Sequence, residues 1–300
     1  MPEFPLKPPV ENLPLLAKQI VSGFLIGLHK SPFHGFSVEF SEHRLYNQGD
    51  NLRYVDWKVF GRTDKMFIKK FEEETNLRCC LAIDTSSSMN YPETGLSKLS
   101  YACIAAASLG WLVKKQMDAL SLALFNKELY YLCPAKTGIR QQQFILTELE
   151  RLLNQPKIKT RTDLPQSLHQ LAERLHQRSL VVIFSDIPET PEKAEALLSA
   201  LQHLKFNKHE IIFFHIVHGD KEIDFNFDNR PYRLEDPETG EIFQLNPASY
   251  QTEYQKAIKQ YTSFLQQEML KHEIDLVYCD MNRSPESVLR SYLVKRNKMM

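Results

Sequence analysis

Five continuous apolar runs constrain the fold of this chain more than any other feature of its sequence. Runs that are apolar on both faces are typical of strands in a sheet that helices cover on each side. Helical patterns separate the runs, and the leucines at 164, 168, 171 and 175 mark one such helical face. Strand and helix in alternation predict a doubly wound α/β fold with a mostly parallel sheet and helices on both faces. The five runs cover residues 79–83, 120–125, 180–184, 211–217 and 274–279.

The first part of the chain, residues 1–77, has a different hydrophobic pattern, without the continuous apolar runs. Leu13, Ala17 and Ile20 begin a helical face that continues to Leu28, which predicts an N-terminal helix. Residues 35–74 then predict short strands and turns, with a turn at 48–51, a strand at 66–71 and Trp57 packed on the core. We therefore expect an N-terminal helix and β extension over residues 1–77, followed by an α/β domain over residues 78–300.

Residues 219–247 fit the alternation poorly because they are rich in Asp, Asn and Pro. Phe225 and Phe227 alternate with polar neighbours, and residues 236–240 have the composition of a turn. Two interpretations stay open for this segment: a surface β excursion, or an insertion that binds a partner.

Composition excludes several classes of function. The 37 Lys and Arg residues balance 37 Asp and Glu residues, whereas nucleic-acid binders need a basic excess to contact phosphates. Basic and aromatic residues do alternate over residues 49–62, but over residues 35–74 seven Lys and Arg residues are matched by eight Asp and Glu residues. No apolar run approaches the roughly 20 residues of a membrane-spanning helix. The five cysteines are scattered through apolar runs, as buried thiols would be, so we expect a cytoplasmic protein without nucleic-acid binding or membrane insertion.

Polar side chains follow several of the predicted strands. Asp84, Ser86 and Ser88 come directly after the first core run, and Asp186 follows the third. Thr162 precedes a predicted helix. Hydroxyl and carboxylate oxygens are ligands that Mg²⁺ accepts while it keeps some of its waters, and Mn²⁺ or Ca²⁺ would also fit. The alternative is that these residues only end strands and cap helices, which applies to the neighbouring Asp163 as well.

This set resembles the metal-ion-dependent adhesion site of von Willebrand factor type A domains, in residue types and in chain order. The resemblance implies that Ser86, Ser88 and Thr162 hold Mg²⁺ through their hydroxyls, with Asp84 and Asp186 acting directly or through water. In that family an acidic side chain of a partner protein completes the coordination. The resemblance therefore implies a binding device instead of a catalytic one.

A second series of motifs lies upstream and comprises Gly35-Phe36-Ser37-Val38-Glu39-Phe40, Arg44-x-Tyr46, Gly49-Asp50, Arg53, Asp56-Trp57-Lys58, Arg62 and Phe71-Glu72-Glu73-Glu74. This series is similar to the bacterial domain-of-unknown-function family numbered fifty-eight. That resemblance implies a cytoplasmic von Willebrand A-like protein that acts beside a MoxR-type AAA+ ATPase. We expect the partner to be this ATPase, a client protein that offers an acidic side chain to the metal, or both.

The predicted function is thus a non-enzymatic, magnesium-dependent protein interaction that serves maturation or remodelling of a client. The alternative is a magnesium-dependent, phosphatase-like hydrolase that uses Asp84 and Asp186. Phosphatases of the haloacid dehalogenase type place an Asp nucleophile after the first strand and a second Asp two residues later as the general acid. Position 86 is a serine, which cannot donate that proton near neutral pH. The chain also lacks the Gly-x-x-x-x-Gly-Lys loop of nucleotide hydrolases.

Overall fold

The computed structural model describes residues 12–25, 40–47, 55–71, 77–156, 159–187, 191–238 and 240–299. The chain divides into two compact units, of which the first joins Met1–Pro32 to Arg78–Met300 and the second is Phe33–Leu77. Several predicted features lie outside the described residues: the strand around Phe36 and Val38, the turn at residues 48–51, and Glu72 to Glu74. The predicted domain boundary at residues 77/78 stays a prediction.

Helices and strands alternate through most of the chain. The helices are α1 (Leu13–Leu25), α2 (Trp57–Thr63), α3 (Lys98–Lys115), α4 (Ile139–Asn154), α5 (Leu164–Arg174), α6 (Pro191–Phe206), α7 (Pro247–Lys271) and α8 (Pro285–Met299). The strands are β1 (Phe40–Leu45), β2 (Phe67–Phe71), β3 (Arg78–Asp84), β4 (Ala119–Phe125), β5 (Leu129–Leu132), β6 (Leu180–Ser185), β7 (Glu210–Val217), β8 (Tyr232–Glu235), β9 (Ile242–Leu245) and β10 (Asp275–Asp280).

The first unit is built on a six-stranded sheet with the order β10-β7-β6-β3-β4-β5. Neighbouring strands from β10 to β4 run parallel, and β5 pairs antiparallel with β4 at the edge. The five apolar runs of the sequence are the five parallel strands. The predicted fold class, a doubly wound and mostly parallel sheet with helices on both faces, is confirmed.

The two faces of this sheet carry different helices. Helices α5, α6 and α7 pack on one face, where Leu168 and Leu201 join the core around Ile183. Helix α3 packs on the other face and contacts α1, α4 and α8. This helix approaches the sheet closely, since a Cβ added at Gly110 would lie 3.2 Å from the Leu120 side chain. The α3 helix is therefore buried on nearly all sides, and this fixes its first turn beside the edge of the sheet.

The second unit contains the antiparallel pair β1–β2 and the helix α2. The prediction that Trp57 packs on the core as part of a β extension is wrong. Asp56 caps α2 by accepting hydrogen bonds from the backbone N–H groups of Lys58 (3.0 Å) and Val59 (3.3 Å), so Trp57 begins a helix. Its side chain is 56% exposed and touches Phe60 edge-on. The Asp-Trp motif therefore acts locally as a cap and first turn.

Residues 219–247 contain the surface β excursion that the sequence predicts, but not at the phenylalanines. The excursion is the β8–β9 hairpin, which pairs Tyr232 with Leu245 and Glu235 with Ile242. Phe225 precedes the hairpin, has a φ of +49°, and stacks on Tyr254 with ring centroids 4.4 Å apart. Phe227 contacts Phe225 and Tyr232, so the two phenylalanines belong to an aromatic cluster between α7 and the hairpin and not to a strand.

Two expectations from composition concern thiols and membranes. All five cysteines are free and buried, as predicted. Among the described residues, no helix combines the length and apolarity needed to cross a membrane. The cytoplasmic location stays a prediction.

Candidate functional site

The candidate site lies at the carboxyl ends of two adjacent parallel strands. β3 ends at Asp84 and β6 ends at Ser185, and the two strands pair in register up to Ile83 and Phe184. Ligand sites of open α/β sheets lie beyond this edge. Because β3 and β6 are neighbours, Asp84 and Asp186 meet although about a hundred residues separate them in the chain.

Asp84 is fully buried, and hydrogen bonds hold both of its carboxylate oxygens. Its Oδ1 accepts from the backbone N–H of Ser86 at 2.8 Å, and its Oδ2 accepts from the Ser185 hydroxyl at 2.6 Å. Burial, followed by the negative charge of Asp186, raises the pKa of Asp84 to about 7. A cation at this edge would favour the ionised form of Asp84 and relieve its repulsion with Asp186.

The hydroxyls of Ser86 and Ser88 link this aspartate to the other one. Ser86 Oγ and Ser88 Oγ are 3.0 Å apart, and Ser88 Oγ donates to Asp186 Oδ1 at 3.2 Å. A 3-10 turn at Ser88–Asn90 points the chain from β3 toward α3. Four of the five predicted site residues thus belong to one hydrogen-bonded chain of oxygens.

Thr162 reaches the same edge through the loop before α5. The loop is fastened to the serine turn because Ser87 and Thr160 exchange two hydrogen bonds, Thr160 N to Ser87 Oγ (2.7 Å) and Ser87 N to Thr160 O (3.1 Å). Thr162 Oγ1 is buried and makes no hydrogen bond of normal geometry within the described part of the chain. The carboxylate of Glu238 contacts both the backbone N–H and the hydroxyl of Thr162, and its contact with the hydroxyl lies outside normal hydrogen-bond geometry. An unsatisfied buried hydroxyl is costly, so this oxygen is suited to a ligand.

Asp163 behaves differently from its neighbour. Its exposed side chain accepts from the backbone N–H of Gln166 at 3.1 Å and caps α5. Asp163 therefore caps a helix, as the alternative interpretation of the sequence predicted, and its carboxylate is used by this hydrogen bond.

Lys98 was not predicted as a site residue, but its ammonium group lies within the site. Its Nζ is 3.0 Å from Asp186 Oδ2 and also pairs with Glu222 Oε1, and its side chain is only 3% exposed. Burial alone would lower the pKa of Lys98, but the two carboxylates outweigh burial and raise it, so the residue stays charged. In the sequence, Lys98 is only a lysine at the first position of a helix after its cap. An exposed lysine at a helix start would show the same pattern, so its burial could not be predicted.

A cavity of about 840 Å³ opens beside these groups. Ser88, Thr162 and Asp186 contribute to its polar wall, together with Glu222 and Glu238. Apolar side chains of α7 and of the segment before the hairpin line the rest of it. The cavity is large enough for a few side chains of another molecule to lie next to the oxygen cluster.

The chemistry of this oxygen cluster suits a hard divalent cation. The part of the chain that the structure describes contains no group of three or more His, Cys, Asp or Glu residues that could hold a metal ion. Three hydroxyls and two carboxylates are oxygen ligands, and such a set suits an ion that retains some of its bound water, as Mg²⁺ does. Lys98 occupies Oδ2 of Asp186, and Oδ1 stays directed at Ser88. The unsatisfied Thr162 hydroxyl and the buried Asp84 carboxylate are the two observations on which this fit rests.

Comparison with known proteins identifies one family. The family model described as "Protein of unknown function DUF58" matches residues 42–263, which is more than half of the chain. Uncharacterized proteins of Mycobacterium tuberculosis and Mycobacterium bovis are 29% identical to this chain over 177 residues, which make up 59% of its length. The match spans 56% of the length of these curated relatives.

Solved structures with a similar fold are more distant in sequence. The conserved hypothetical protein BatB from Bacteroides thetaiotaomicron has a TM-score of 0.47 and 13% identity, with 74% of this chain and 100% of that chain covered. A von Willebrand factor type A protein from Catenulispora acidiphila has a TM-score of 0.39 and 12% identity, with 75% and 42% covered. At these values the likeness concerns the fold alone.

Proposed function

The chain belongs to the family described as protein of unknown function DUF58, and from this premise we propose that it is a magnesium-dependent protein-interaction module. In this proposal the hydroxyls of Ser86, Ser88 and Thr162 hold Mg²⁺ at the edge of the sheet. Asp84 and Asp186 supply negative charge directly or through water. The bound ion offers a coordination position to an acidic side chain of a partner protein.

The observation that carries the proposal is the convergence of these five residues on one rim, with a buried carboxylate and an unsatisfied buried hydroxyl among them. Burial of Asp84 disfavours its charged form, and Thr162 Oγ1 lacks a hydrogen bond of normal geometry within the described residues. Either feature alone would destabilise a fold that serves no ligand. A single cation bound at the rim would offset both costs.

We propose a MoxR-type AAA+ ATPase, a client protein of that ATPase, or both as the partner. The motifs shared with the family support the ATPase, and the charge of a bound cation supports an acidic contact residue. The cavity beside the rim has room for the residues that flank such an acid. The chain would then act as an adaptor in maturation or remodelling of the client.

The surroundings of Asp84 favour binding over hydrolysis. A carboxylate nucleophile needs a free, exposed oxygen, whereas both oxygens of Asp84 accept hydrogen bonds in the interior. Position 86, where a phosphatase would place its general acid, is occupied by a serine whose backbone N–H binds Asp84. Magnesium-dependent release of nitrophenol from p-nitrophenyl phosphate that disappears in Asp84→Asn would instead establish the hydrolase.

Calorimetric titration with MgCl₂ tests the metal site most simply. The informative variant is Thr162→Val, which replaces the hydroxyl with a methyl group of similar shape, and the matched control is Thr160→Val in the same loop. We expect Thr162→Val to bind Mg²⁺ at least about tenfold more weakly, and Thr160→Val to bind like the wild type. Without Mg²⁺, Thr162→Val should be as stable as the wild type or more stable, since an unsatisfied hydroxyl is removed. Equal affinity in all three proteins contradicts the metal site.

The same pair of variants tests the partner. A co-encoded AAA+ ATPase needs magnesium itself, so a comparison of magnesium with chelator would mix two effects. Pull-down of the ATPase in one constant magnesium buffer, with Thr162→Val against Thr160→Val, separates them. We expect retention by the control and loss with Thr162→Val, and equal retention would contradict a contact through the metal.

A further inference from the structure

The hairpin β8–β9 brings an acidic side chain of this same chain to the proposed metal rim. Glu238, in the turn of the hairpin, accepts a hydrogen bond from the backbone N–H of Thr162 through Oε2 at 3.3 Å. Its carboxylate is about half-buried and close enough to Asp186 to feel that negative charge. A carboxylate of the chain itself therefore lies on the rim where an acidic partner residue would bind.

The turn is built so that Glu238 is held in this orientation. Asp236 Oδ1 accepts from the backbone N–H of Glu238 at 2.7 Å, as in an Asx turn. Gly240 closes the turn by donating its N–H to Asp236 O at 2.8 Å, with a φ of +75° that favours glycine. These local bonds leave the Glu238 carboxylate free to contact the Thr162 loop instead of its own turn.

The remainder of the hairpin is held weakly. β8 alternates between exposed and half-buried residues, and the first three residues of β9 are all exposed, with Ile242 at 45% and Phe243 at 53%. A second tether joins Glu235 to Lys159 at 3.0 Å, but both side chains are largely exposed. Exposed ion pairs contribute little to stability, and segments with few buried contacts open easily. Displacing the hairpin tip should therefore cost little free energy.

We propose that Glu238 is a resident acidic ligand of the rim, and that an acidic partner side chain binds only after it has displaced the hairpin tip. This inference rests on the proposed function, because it assumes that the rim receives a carboxylate. It adds a form of regulation: the chain occupies its own docking position until a stronger acidic ligand competes. The segment 219–247 then serves as a gate as well as a surface excursion.

The test uses the hairpin as its own probe. A fluorescein-labelled peptide with the sequence of residues 232–245 carries the same acid in the same turn, and anisotropy in MgCl₂ reports its binding to the full chain. The proteins are the wild type, Glu238→Ala, and the control Glu241→Ala, which removes the same charge from an exposed residue beyond the turn. Glu238→Ala should bind the peptide at least about tenfold more tightly than the other two proteins. A peptide with Ala in place of Glu238 should not bind to any of them.

Magnesium titration of the same three proteins separates failure of this inference from failure of the proposed function. If Mg²⁺ binds to all three, but the peptide binds equally well or does not bind at all, the inference is overturned and the metal site stands. If Mg²⁺ binds to none, the proposed function fails together with the inference. Tighter peptide binding by Glu238→Ala that disappears with chelator supports both.

Discussion

The two acidic arms of this site, the edge of the sheet and the hairpin tip, are held in opposite ways. At the edge, Asp84 is buried completely and the side chain of Asp186 is 20% exposed, since both follow strands in the middle of the sheet. At the tip, Glu238 belongs to a hairpin whose strands are mostly solvent-accessible. One arm of the site is therefore built into the core, whereas the other is carried by a hairpin with few buried residues.

The electrostatic partners show the same contrast. Lys98 is enclosed between Asp186 and Glu222, whereas Lys159 pairs with Glu235 in solvent. Two lysines with similar pair distances therefore have very different surroundings. Stability measurements on the two arms should differ accordingly, and the following predictions begin with the largest effect.

Replacing Lys98 with Met should destabilise the fold by about 3 kcal/mol, because it leaves the mostly buried carboxylates of Asp186 and Glu222 without a counter-charge. The matched change Lys159→Met removes an exposed pair and should cost about 0 to 1 kcal/mol. Urea unfolding of both variants measures the two values. If the two lysines prove equally important, the distinction between a fixed arm and a movable arm is wrong.

The stability contribution of Asp84 should decrease as pH rises. Its pKa is raised from 3.8 to about 7 in the folded protein, mainly by burial, so the folded state holds a proton that the unfolded chain has lost. This contribution is therefore fully present below about pH 4 and is lost as pH rises through about 7. Without Mg²⁺, the wild type should lose on the order of 3 kcal/mol relative to the non-titrating variant Asp84→Asn between about pH 4.5 and 7.5.

Magnesium should reverse this loss in the wild type, because the cation stabilises the ionised carboxylate, and should have little effect on Asp84→Asn. Urea midpoints at the two pH values, with and without MgCl₂, provide the measurement. A difference between the two proteins that does not change with pH would contradict the burial argument.

The smallest effect is expected at the hairpin. Glu235→Gln removes one exposed tether and should change global stability by less than about 1 kcal/mol. It should nevertheless speed hydrogen exchange at the backbone N–H of Thr162 and in β8 and β9, and leave exchange in β3 and β6 unchanged. Faster exchange in all four strands would mean that the hairpin and the sheet open together.

The same contrast explains what could be predicted from the sequence. The parallel strands are continuous apolar runs, so their ends, and with them Asp84 and Asp186, could be located from hydrophobicity alone. The position of Thr162 was predicted from the start of a helix, and its role as a ligand from the family resemblance. Lys98 could not be predicted, since its role depends on two carboxylates from segments that lie far away in the chain.

Local chemistry also misled in places. Trp57 is a large apolar residue of the kind usually found in a core. Asp56 before it caps a helix instead, and the Trp57 side chain is exposed on that helix. The edge strand β5 and the helix α4 were not identified, because β5 is short and half-exposed and α4 shows its apolar stripe among many glutamines. Glu238 lies in an ordinary Asp-Pro-Glu turn, and only the three-dimensional structure brings that turn to Thr162.

The central claim is that a divalent cation binds at the edge of the sheet, and anomalous diffraction from crystals grown with Mn²⁺ in place of Mg²⁺ tests it most directly. The account predicts a manganese peak next to the hydroxyls of Ser86, Ser88 and Thr162, and no such peak in crystals of Thr162→Val. A map with no peak at this rim, in which the Lys98 ammonium remains the counter-ion of Asp186, would contradict it.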